Sequence, residues 1–171
     1  MALAEFKYKL GKVERGYNDR TLYVNLSNMK IESKPVSKDM REKFTGGRGF
    51  NLWLLWNALP KNRIVKWDDP ENEVCIACGP LGGTVGYPGS GKSIALSISP
   101  LTDAVVDSNV GGYFGPYLKF AGWDALEVRG KAASEVVVFI DGDACRVQVE
   151  DADQFPSVTH LITEAMVQKY S

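Results

Sequence analysis

The chain has 171 residues, of which 44% are hydrophobic and 24% are charged, as in ordinary globular domains. Its 20 basic and 21 acidic residues give a net charge of −1, so neither nucleic acid nor an anionic membrane is expected as the main partner. The N-terminal residues lack the long apolar stretch of a signal peptide or a membrane-spanning helix. We therefore expect residues 1–171 to form a single domain in the cytoplasm.

The first part of the chain predicts a β-hairpin followed by two helices. Residues 21–26 alternate in hydrophobicity and are rich in strand-forming types, and residues 29–36 follow a turn as the partner strand. Residues 37–44 predict a short helix, because they begin with a serine suited to the N-cap position. Residues 49–58 are almost entirely apolar and precede Pro60, which predicts a helix that this domain or a neighbour must mostly cover.

The second part predicts further strands and two more helices, separated by glycine-rich turns. The predicted strands lie at residues 74–77, 93–99, 125–128, 136–140 and 145–149, and the predicted helices at residues 113–121 and 158–170. Asp141, Gly142 and Asp143 form a predicted hairpin turn between the last two strands. This order indicates an α+β fold built mainly on antiparallel strands, with a few short helices.

The three cysteines are too few for a disulfide framework, and their spacing alone does not make a metal site. Cys75 and Cys78 have the C-x-x-C spacing of metal and redox sites, but they fall in a predicted strand. A zinc site needs about four ligands, and the chain adds only Cys145 and His160 to this pair. We interpret Cys75 and Cys78 as small residues packed in a strand and His160 as structural.

The segment from Gly86 to Ser93 matches the G-x-x-x-x-G-K-S/T pattern of phosphate-binding loops in nucleotide hydrolases. In those proteins a helix leaves the loop, so that its first amides and its dipole face the phosphates. Residues 93–99 have the pattern of a strand instead, and Pro100 follows them. Asp141, which could imitate a magnesium-binding aspartate, falls in a hairpin turn. A nucleotide hydrolase is therefore an alternative hypothesis, ranked second.

Several glycine-rich segments, taken in order, resemble a known family. They are LYVNL at 22–26, GGRG at 46–49, PEN at 70–72, ACGPLGGT at 77–84, SPLT at 99–102, NVGGYFG at 109–115, LKFAGWD at 118–124 and GKA at 130–132. Their order and spacing resemble the N-terminal domain of the aldehyde:ferredoxin oxidoreductase family of tungsten enzymes. The resemblance covers about residues 20–155, and the ordered set is more specific than the single phosphate-loop pattern.

The resemblance implies a fold and a cofactor. It implies two pseudo-symmetric β-sheets that form a base for a tungsten bis-pterin cofactor of the molybdopterin type. In the family each pterin carries a phosphate, and a magnesium ion bridges the two phosphates. The family oxidises aldehydes to carboxylic acids and passes the electrons through an iron–sulfur cluster (4Fe–4S) to ferredoxin. Related enzymes reduce aromatic acyl thioesters, so the substrate and the choice of tungsten over molybdenum stay open.

The resemblance also implies four site residues. Asn109 matches the family residue whose backbone carbonyl helps to hold the bridging magnesium, and Gly111 and Gly112 match the glycines beside it, where amides can approach phosphate. Lys92 matches a cationic position that pairs with a pterin phosphate, and as a lysine it would act as a point charge. Each has a structural alternative: Asn109 as a helix cap, Gly111 and Gly112 as a helix entry, and Lys92 as a surface lysine.

Other residues carry weaker hypotheses. Arg48 is expected either to contact the cofactor or to form a structural ion pair. The aromatic residues are expected in the core or at an interface; they are Tyr113, Phe114, Tyr117 and Trp123. We also expect the surface formed by residues 79–115 to be apolar or glycine-rich and to dock against other polypeptide.

The family's iron–sulfur ligands and catalytic pocket lie in later domains, and three cysteines cannot supply a four-thiolate cluster. We expect this chain to be incomplete at its C-terminal end, as a fragment or as a subunit of a naturally split enzyme. It would then supply about half of the pterin contacts and would be inactive alone. Its expected partners are the rest of the same enzyme and ferredoxin or another iron–sulfur carrier, and a homo-oligomer is compatible with the sequence. The remaining alternative is a non-catalytic assembly module.

Overall fold

The computed structural model describes residues 2–171, which form two β-sheets and four short helices. In chain order the elements are β1 (Ala2–Lys7), β2 (Arg20–Asn25), β3 (Lys30–Pro35), α1 (Lys38–Lys43), α2 (Arg48–Ala58), β4 (Glu73–Cys78), β5 (Ser93–Ile98), β6 (Val105–Val110), α3 (Phe114–Phe120), β7 (Ala125–Arg129), β8 (Val136–Asp141), β9 (Arg146–Asp151) and α4 (Thr159–Tyr170). The predicted α+β class is confirmed, and each predicted element lies within two residues of its observed bounds.

The larger sheet has six strands in the order β3-β2-β7-β4-β5-β6. All its neighbouring strands are antiparallel except β2 and β7, which run parallel with Val24 paired to Val128. The sheet is therefore mixed, although antiparallel pairing dominates as predicted. Strand β6, which the sequence pattern did not predict, forms one edge of this sheet, and β3 forms the other.

The smaller sheet has three strands in the order β1-β9-β8, all antiparallel. The predicted hairpin between β8 and β9 is confirmed, with Asp141 paired to Arg146. Strand β1 was not predicted. One core cluster joins the two sheets, because Leu22 and Leu126 of the larger sheet pack with Val147 of the smaller sheet and with the fully buried Trp123. Within residues 2–171 the two sheets differ in size.

Helix α2 lies on the opposite face of the larger sheet. Phe50 packs with Ala77, and Leu55 packs with Leu96, so one stripe of the helix is buried. Trp56 on the outer surface stays 66% exposed. The described chain thus buries only part of this apolar helix. The sequence predicted that this domain or a neighbour would bury the helix, and only a neighbour could bury the rest.

Helix α4 is the longest helix, with 12 residues, and none of its side chains is buried. It extends over about 18 Å at the usual helical rise. Across residues 2–171, no helix combines the length and the apolar character needed to cross a bilayer.

Candidate functional site

The predicted site residues meet at one corner of the larger sheet, where β5 begins and β6 ends. Ser93 pairs with Val110 and Ile94 pairs with Asn109, which places Lys92 across from Gly111. A Cβ atom on Gly111 would stand 3.4 Å from the Lys92 Nζ atom. The structure therefore brings Lys92, Asn109 and Gly111 together, although 17 residues lie between Lys92 and Val110, the last residue of β6.

The backbone of this corner is closely packed around glycine. A Cβ on Gly91 would stand only 2.8 Å from the carbonyl oxygen of Gly112. Gly112 has a φ of +85°, a conformation that favours glycine, and no atom lies within 4 Å of the position of its missing Cβ. The open side of Gly112 leaves its backbone accessible to a ligand.

Lys92 itself is exposed, and no ion-pair partner is found for it among residues 2–171. An exposed lysine without an ion-pair partner can pair with an anion without first breaking another ion pair. The glycines beside it add no side chain that would compete with an incoming phosphate. This combination suits an anionic group bound by one ammonium and by backbone amides.

The segment after Lys92 is extended, as predicted, because β5 begins directly at Ser93. Strand β5 is held between β4 and β6, so no helix leaves the glycine-rich segment. Asp141 lies in the smaller sheet, where it accepts a hydrogen bond from Arg146 at 2.9 Å. The geometry of a nucleotide-hydrolase loop is therefore absent from the described residues, and the second-ranked hypothesis has no support.

Asn109 does not cap a helix, so that alternative is wrong. It lies within β6, whereas α3 begins at Phe114 after Tyr113. The N-cap position of α3 belongs to Tyr113, and Asn109 lies four residues before it, too far along the chain to serve the first amides of the helix. Since β6 is an edge strand, one side of its backbone faces away from β5. The predicted role of the Asn109 carbonyl toward magnesium stays a prediction.

The GGRG segment forms the entry to α2 and touches the same corner. The Gly47 amide donates to the Cys78 carbonyl at 3.0 Å, and a Cβ on Gly46 would stand 2.7 Å from that oxygen. A Cβ on Gly47 would also reach Ile94 of β5 at 3.8 Å. Glycine is required at Gly46, where φ is +149°, for this close approach of loop and strand.

Arg48 forms the ion pair that was one of its two predicted roles. Its Nε and NH2 atoms donate to the Asp107 Oδ2 atom at 3.0 and 2.7 Å. Asp107 and Asn109 lie two residues apart on β6, so their side chains share the face of the sheet on which α2 packs. The pair ties the start of α2 to the edge strand next to the predicted site.

Helix α3 packs on the other face of the sheet through a second glycine contact. A Cβ on Gly115 would stand 2.9 Å from the Cys78 Sγ atom. This close approach leaves the outer aromatic residues exposed, since Tyr113 is 76% and Tyr117 is 66% accessible. Trp123 is fully buried. These aromatic residues were predicted to lie in the core or at an interface. Trp123 lies in the core, and the two tyrosines lie on the surface.

Residues 79–115 carry many exposed large hydrophobic side chains. They are Leu81, Val85, Tyr87, Leu101, Val105, Val106, Tyr113 and Phe114. So many exposed apolar side chains in one stretch are typical of a surface that another polypeptide covers. Docking at this surface stays a prediction.

The C-x-x-C pair is structural, as predicted. Cys75 and Cys78 are buried in β4, and Cys75 packs with Leu55 and Leu96. Burial raises the pKa of the Cys75 thiol far above its usual value and the pKa of Cys78 to about 11. Within residues 2–171, no three metal-binding side chains cluster closely enough to hold an ion.

A buried ion pair near the end of α3 was missed. The Lys119 Nζ atom lies 2.5 Å from Asp124 Oδ1 and donates to the Gly16 carbonyl at 2.6 Å. Asp124 also accepts hydrogen bonds from the amides of Asn18 and Asp19. Through these bonds Lys119 and Asp124 hold the segment before β2 against the end of α3. The only signal in the sequence is two charged residues within an otherwise apolar stretch.

Comparison with known proteins places these features in a family. Residues 21–171 match the family described as aldehyde ferredoxin oxidoreductase, N-terminal domain. The tungsten-containing aldehyde ferredoxin oxidoreductase of Pyrococcus horikoshii is 37% identical over 155 residues, which cover 90% of this chain and 24% of that protein. The aliphatic sulfonate oxidoreductase, WOR-like subunit, of Pyrococcus furiosus is 40% identical over 144 residues, covering 81% of this chain and 22% of that protein.

A solved structure agrees with this match. The active site complex BamBC of benzoyl coenzyme A reductase, in complex with 1,5-dienoyl-CoA, aligns with a TM-score of 0.76 and 31% identity. The alignment covers 90% of this chain and 23% of that chain. The chain thus spans about a quarter of the length of these relatives. It belongs to the aldehyde ferredoxin oxidoreductase family, in which it corresponds to the N-terminal domain.

Proposed function

We propose that this chain forms the N-terminal part of a tungsten-dependent oxidoreductase and provides one half of a bis-pterin site. The observation that carries the proposal is the unpaired Lys92 ammonium, which lies across from Gly111 at a corner lined by glycine. A phosphate there would gain one cation and several nearby amides without displacing a side chain. The tungsten-containing relatives support the identity of the group that carries the phosphate.

The residues present fit such a phosphate-bearing group. Gly112 leaves open space where another residue would place a Cβ, and the Lys92 ammonium lies beside the neighbouring Gly111. Asp107, the nearest acidic side chain along β6, is already neutralised by Arg48. A local site of this kind explains how a chain with nearly balanced charge can still bind an anion.

Each residue has a role in positioning rather than in bond making. Lys92 would neutralise a pterin phosphate, and the amides of Gly111 and Gly112 would orient its oxygens. The backbone carbonyl of Asn109 would be a ligand of a bridging magnesium, since hard cations prefer oxygen ligands. When bound, the tungsten pterin group would supply the two-electron chemistry, while the protein supplies position and electrostatics.

We propose aldehyde oxidation to carboxylic acids, with ferredoxin as the electron acceptor, as the reaction of the complete enzyme. The names of the relatives also include a sulfonate oxidoreductase and a coenzyme A thioester reductase. Because these proteins share the fold of this domain, the residues that select the substrate are expected in the remaining polypeptide. That polypeptide would also carry the iron–sulfur cluster, and it would dock on the apolar surface formed by residues 79–115.

The proposal is tested by co-expressing this chain with the polypeptide encoded next to it and purifying the complex. We expect tungsten and pterin in the complex and aldehyde oxidation with a viologen dye, with no activity from the chain alone. A complex that contains neither tungsten nor molybdenum would contradict the proposal and would favour a non-catalytic assembly module. Aldehyde oxidation by the isolated chain would contradict the half-site role.

A further inference from the structure

A cavity lies at the C-terminal end of α2, whereas Lys92 lies near the N-terminal end of this helix. The cavity has a volume of about 370 Å³. Its lining includes Tyr23, Lys34, Trp53, Glu73, Glu127 and Arg129. Helix α2 has 11 residues, which corresponds to a length of about 16 Å. The cavity is therefore separate from the corner formed by Lys92 and Gly111.

Two buried carboxylates form the floor of this cavity. Glu73 and Glu127 are only 2% and 3% exposed, and they lie on adjacent strands β4 and β7 with their side chains on the same face. Glu127 is satisfied, because its Oε2 atom lies 2.5 Å from the Lys34 Nζ atom. The same ammonium lies 3.5 Å above the ring of Tyr23. The Lys34 ammonium thus already neutralises one of the two carboxylates in the cavity floor.

Glu73 has no equivalent partner. Its Oε1 atom lies 3.5 Å from the Arg129 NH1 atom, a long contact that Arg129 shares with Glu71. Its Oε2 atom is buried, and no hydrogen-bond donor for it is found between residues 2 and 171. A buried carboxylate oxygen without a donor costs free energy, because it has lost water and gained no partner. The cavity therefore contains an unfilled acceptor.

The charges around Glu73 leave an excess of negative charge. The ion pairs in and beside the cavity contain three cations and four anions; these are Lys34, Arg63 and Arg129, and Asp69, Glu71, Glu73 and Glu127. The C-terminal end of α2, which lines the cavity through Asn57 and Ala58, adds a partial negative charge. Burial, together with Glu127, raises the pKa of Glu73 to about 7. One further cation would balance these charges when Glu73 is ionised.

We propose that this cavity binds a small organic ligand through a primary ammonium or amidinium group that donates a hydrogen bond to Glu73 Oε2. An anion is disfavoured, because the ion pairs around Glu73 already contain one more carboxylate than cation. A bare divalent metal ion is disfavoured, because the described residues offer no third metal ligand beside the two carboxylates. An organic cation instead repeats the contact that Lys34 already makes with Glu127.

The test uses the full chain, labelled with nitrogen-15 and titrated with benzamidine at pH 8. We expect saturable shifts of the Trp53 indole N–H signal, because Trp53 lines the cavity. Benzoate, an anion of the same shape, should produce none. Binding of benzoate equal to that of benzamidine, or no saturable shift with benzamidine, would overturn the proposal.

Substitution and pH give two further checks. Glu73→Gln should weaken benzamidine binding at least tenfold, which corresponds to about 1.4 kcal/mol. The control Glu42→Gln, at an exposed position of α1, should leave it unchanged.

Binding should weaken by about tenfold from pH 8 to pH 6, because Glu73 becomes protonated. The charged or titratable groups that surround Glu73 are Lys34 on β3, Tyr23 on β2, Glu127 and Arg129 on β7, and Cys75 on β4. Equal affinity in Glu73→Gln, or an affinity that does not change with pH, would contradict the role of Glu73.

Discussion

Gly111 faces Lys92 across the β5–β6 pair so closely that a methyl carbon on Gly111 would stand 3.4 Å from the Lys92 Nζ atom. A side chain on Gly111 would therefore touch the ammonium, whereas glycine leaves that space free. Gly111 lies outside the left-handed region of φ, so its backbone could accept alanine. The glycine is therefore needed for the space beside the ammonium and not for the shape of the chain.

Gly111→Ala should lower cofactor retention without unfolding the domain. The added methyl would occupy the space beside the Lys92 ammonium and narrow the approach to the nearby amides. We expect tungsten and pterin per complex to fall several-fold, with the free energy of unfolding changed by no more than about 0.5 kcal/mol. The measurement is metal analysis combined with urea denaturation. Gly86→Ala is the matched control, because no atom lies within 4 Å of its Cβ position. Equal tungsten in Gly111→Ala and the unmodified protein would count against the site.

Lys119→Met should strongly destabilise the domain. It leaves Asp124 buried without its counter-ion, and Asp124 is only 1% exposed. Removing one partner of a buried pair costs about 3–5 kcal/mol. Urea denaturation of the full chain measures the loss. Lys38→Met is the control, because it breaks only the exposed pair with Glu42 and should cost about 0.5 kcal/mol or less. A loss below 1 kcal/mol for Lys119→Met would contradict this account.

Glu73 should make stability depend on pH. Its pKa in the folded chain is raised to about 7 from the ordinary value of 4.5, so the folded state binds the proton more tightly than the unfolded state. The contribution of Glu73 is therefore most favourable below pH 4.5 and is lost as the pH rises through 7. Glu73→Gln should raise the free energy of unfolding at pH 8 by up to about 3 kcal/mol. At pH 5 it should have little effect. Denaturation at both pH values, with Glu42→Gln as control, tests this, and equal effects at pH 5 and pH 8 would refute it.

The cysteines should differ in reactivity toward a thiol reagent. Cys75 and Cys78 are 0% and 2% exposed, and burial raises the pKa of both thiols, whereas Cys145 is partly exposed. Thiolates, not thiols, react with such reagents. At pH 8 we expect Ellman's reagent to modify one thiol rapidly in the folded chain and all three in urea. Rapid reaction in a Cys145→Ser variant would show that the C-x-x-C pair is accessible.

Sequence patterns predicted most elements because their signals are local. The alternation of residues 93–99 and the absence of a helix after Lys92 follow from strand propensity and Pro100, and the structure places β5 there. Strand β6 was missed because its Asp107, Ser108 and Asn109 are poor strand formers. Its pairing with β5 provides the stabilisation that its own residues lack.

Long-range relationships could not be predicted from the sequence. Arg48 and Asp107 are 59 residues apart, so their ion pair depends on the packing of α2 against the edge of the sheet. The family resemblance supplied Lys92, Asn109, Gly111 and Gly112 as candidates, and the register of β5 and β6 brought Lys92, Asn109 and Gly111 together. The buried Glu73 carried no pattern at all, because its burial results from strands distant in the chain.

The most direct test of the central claim is the tungsten and pterin content of the purified complex when Lys92 is replaced. The account predicts that Lys92→Met loses most of the cofactor while the domain stays folded, and that Lys92→Arg retains it, because arginine also carries a cation to the phosphate. Full retention of tungsten and pterin in Lys92→Met, with unchanged stability, would contradict the claim that this corner of the sheet holds a pterin phosphate.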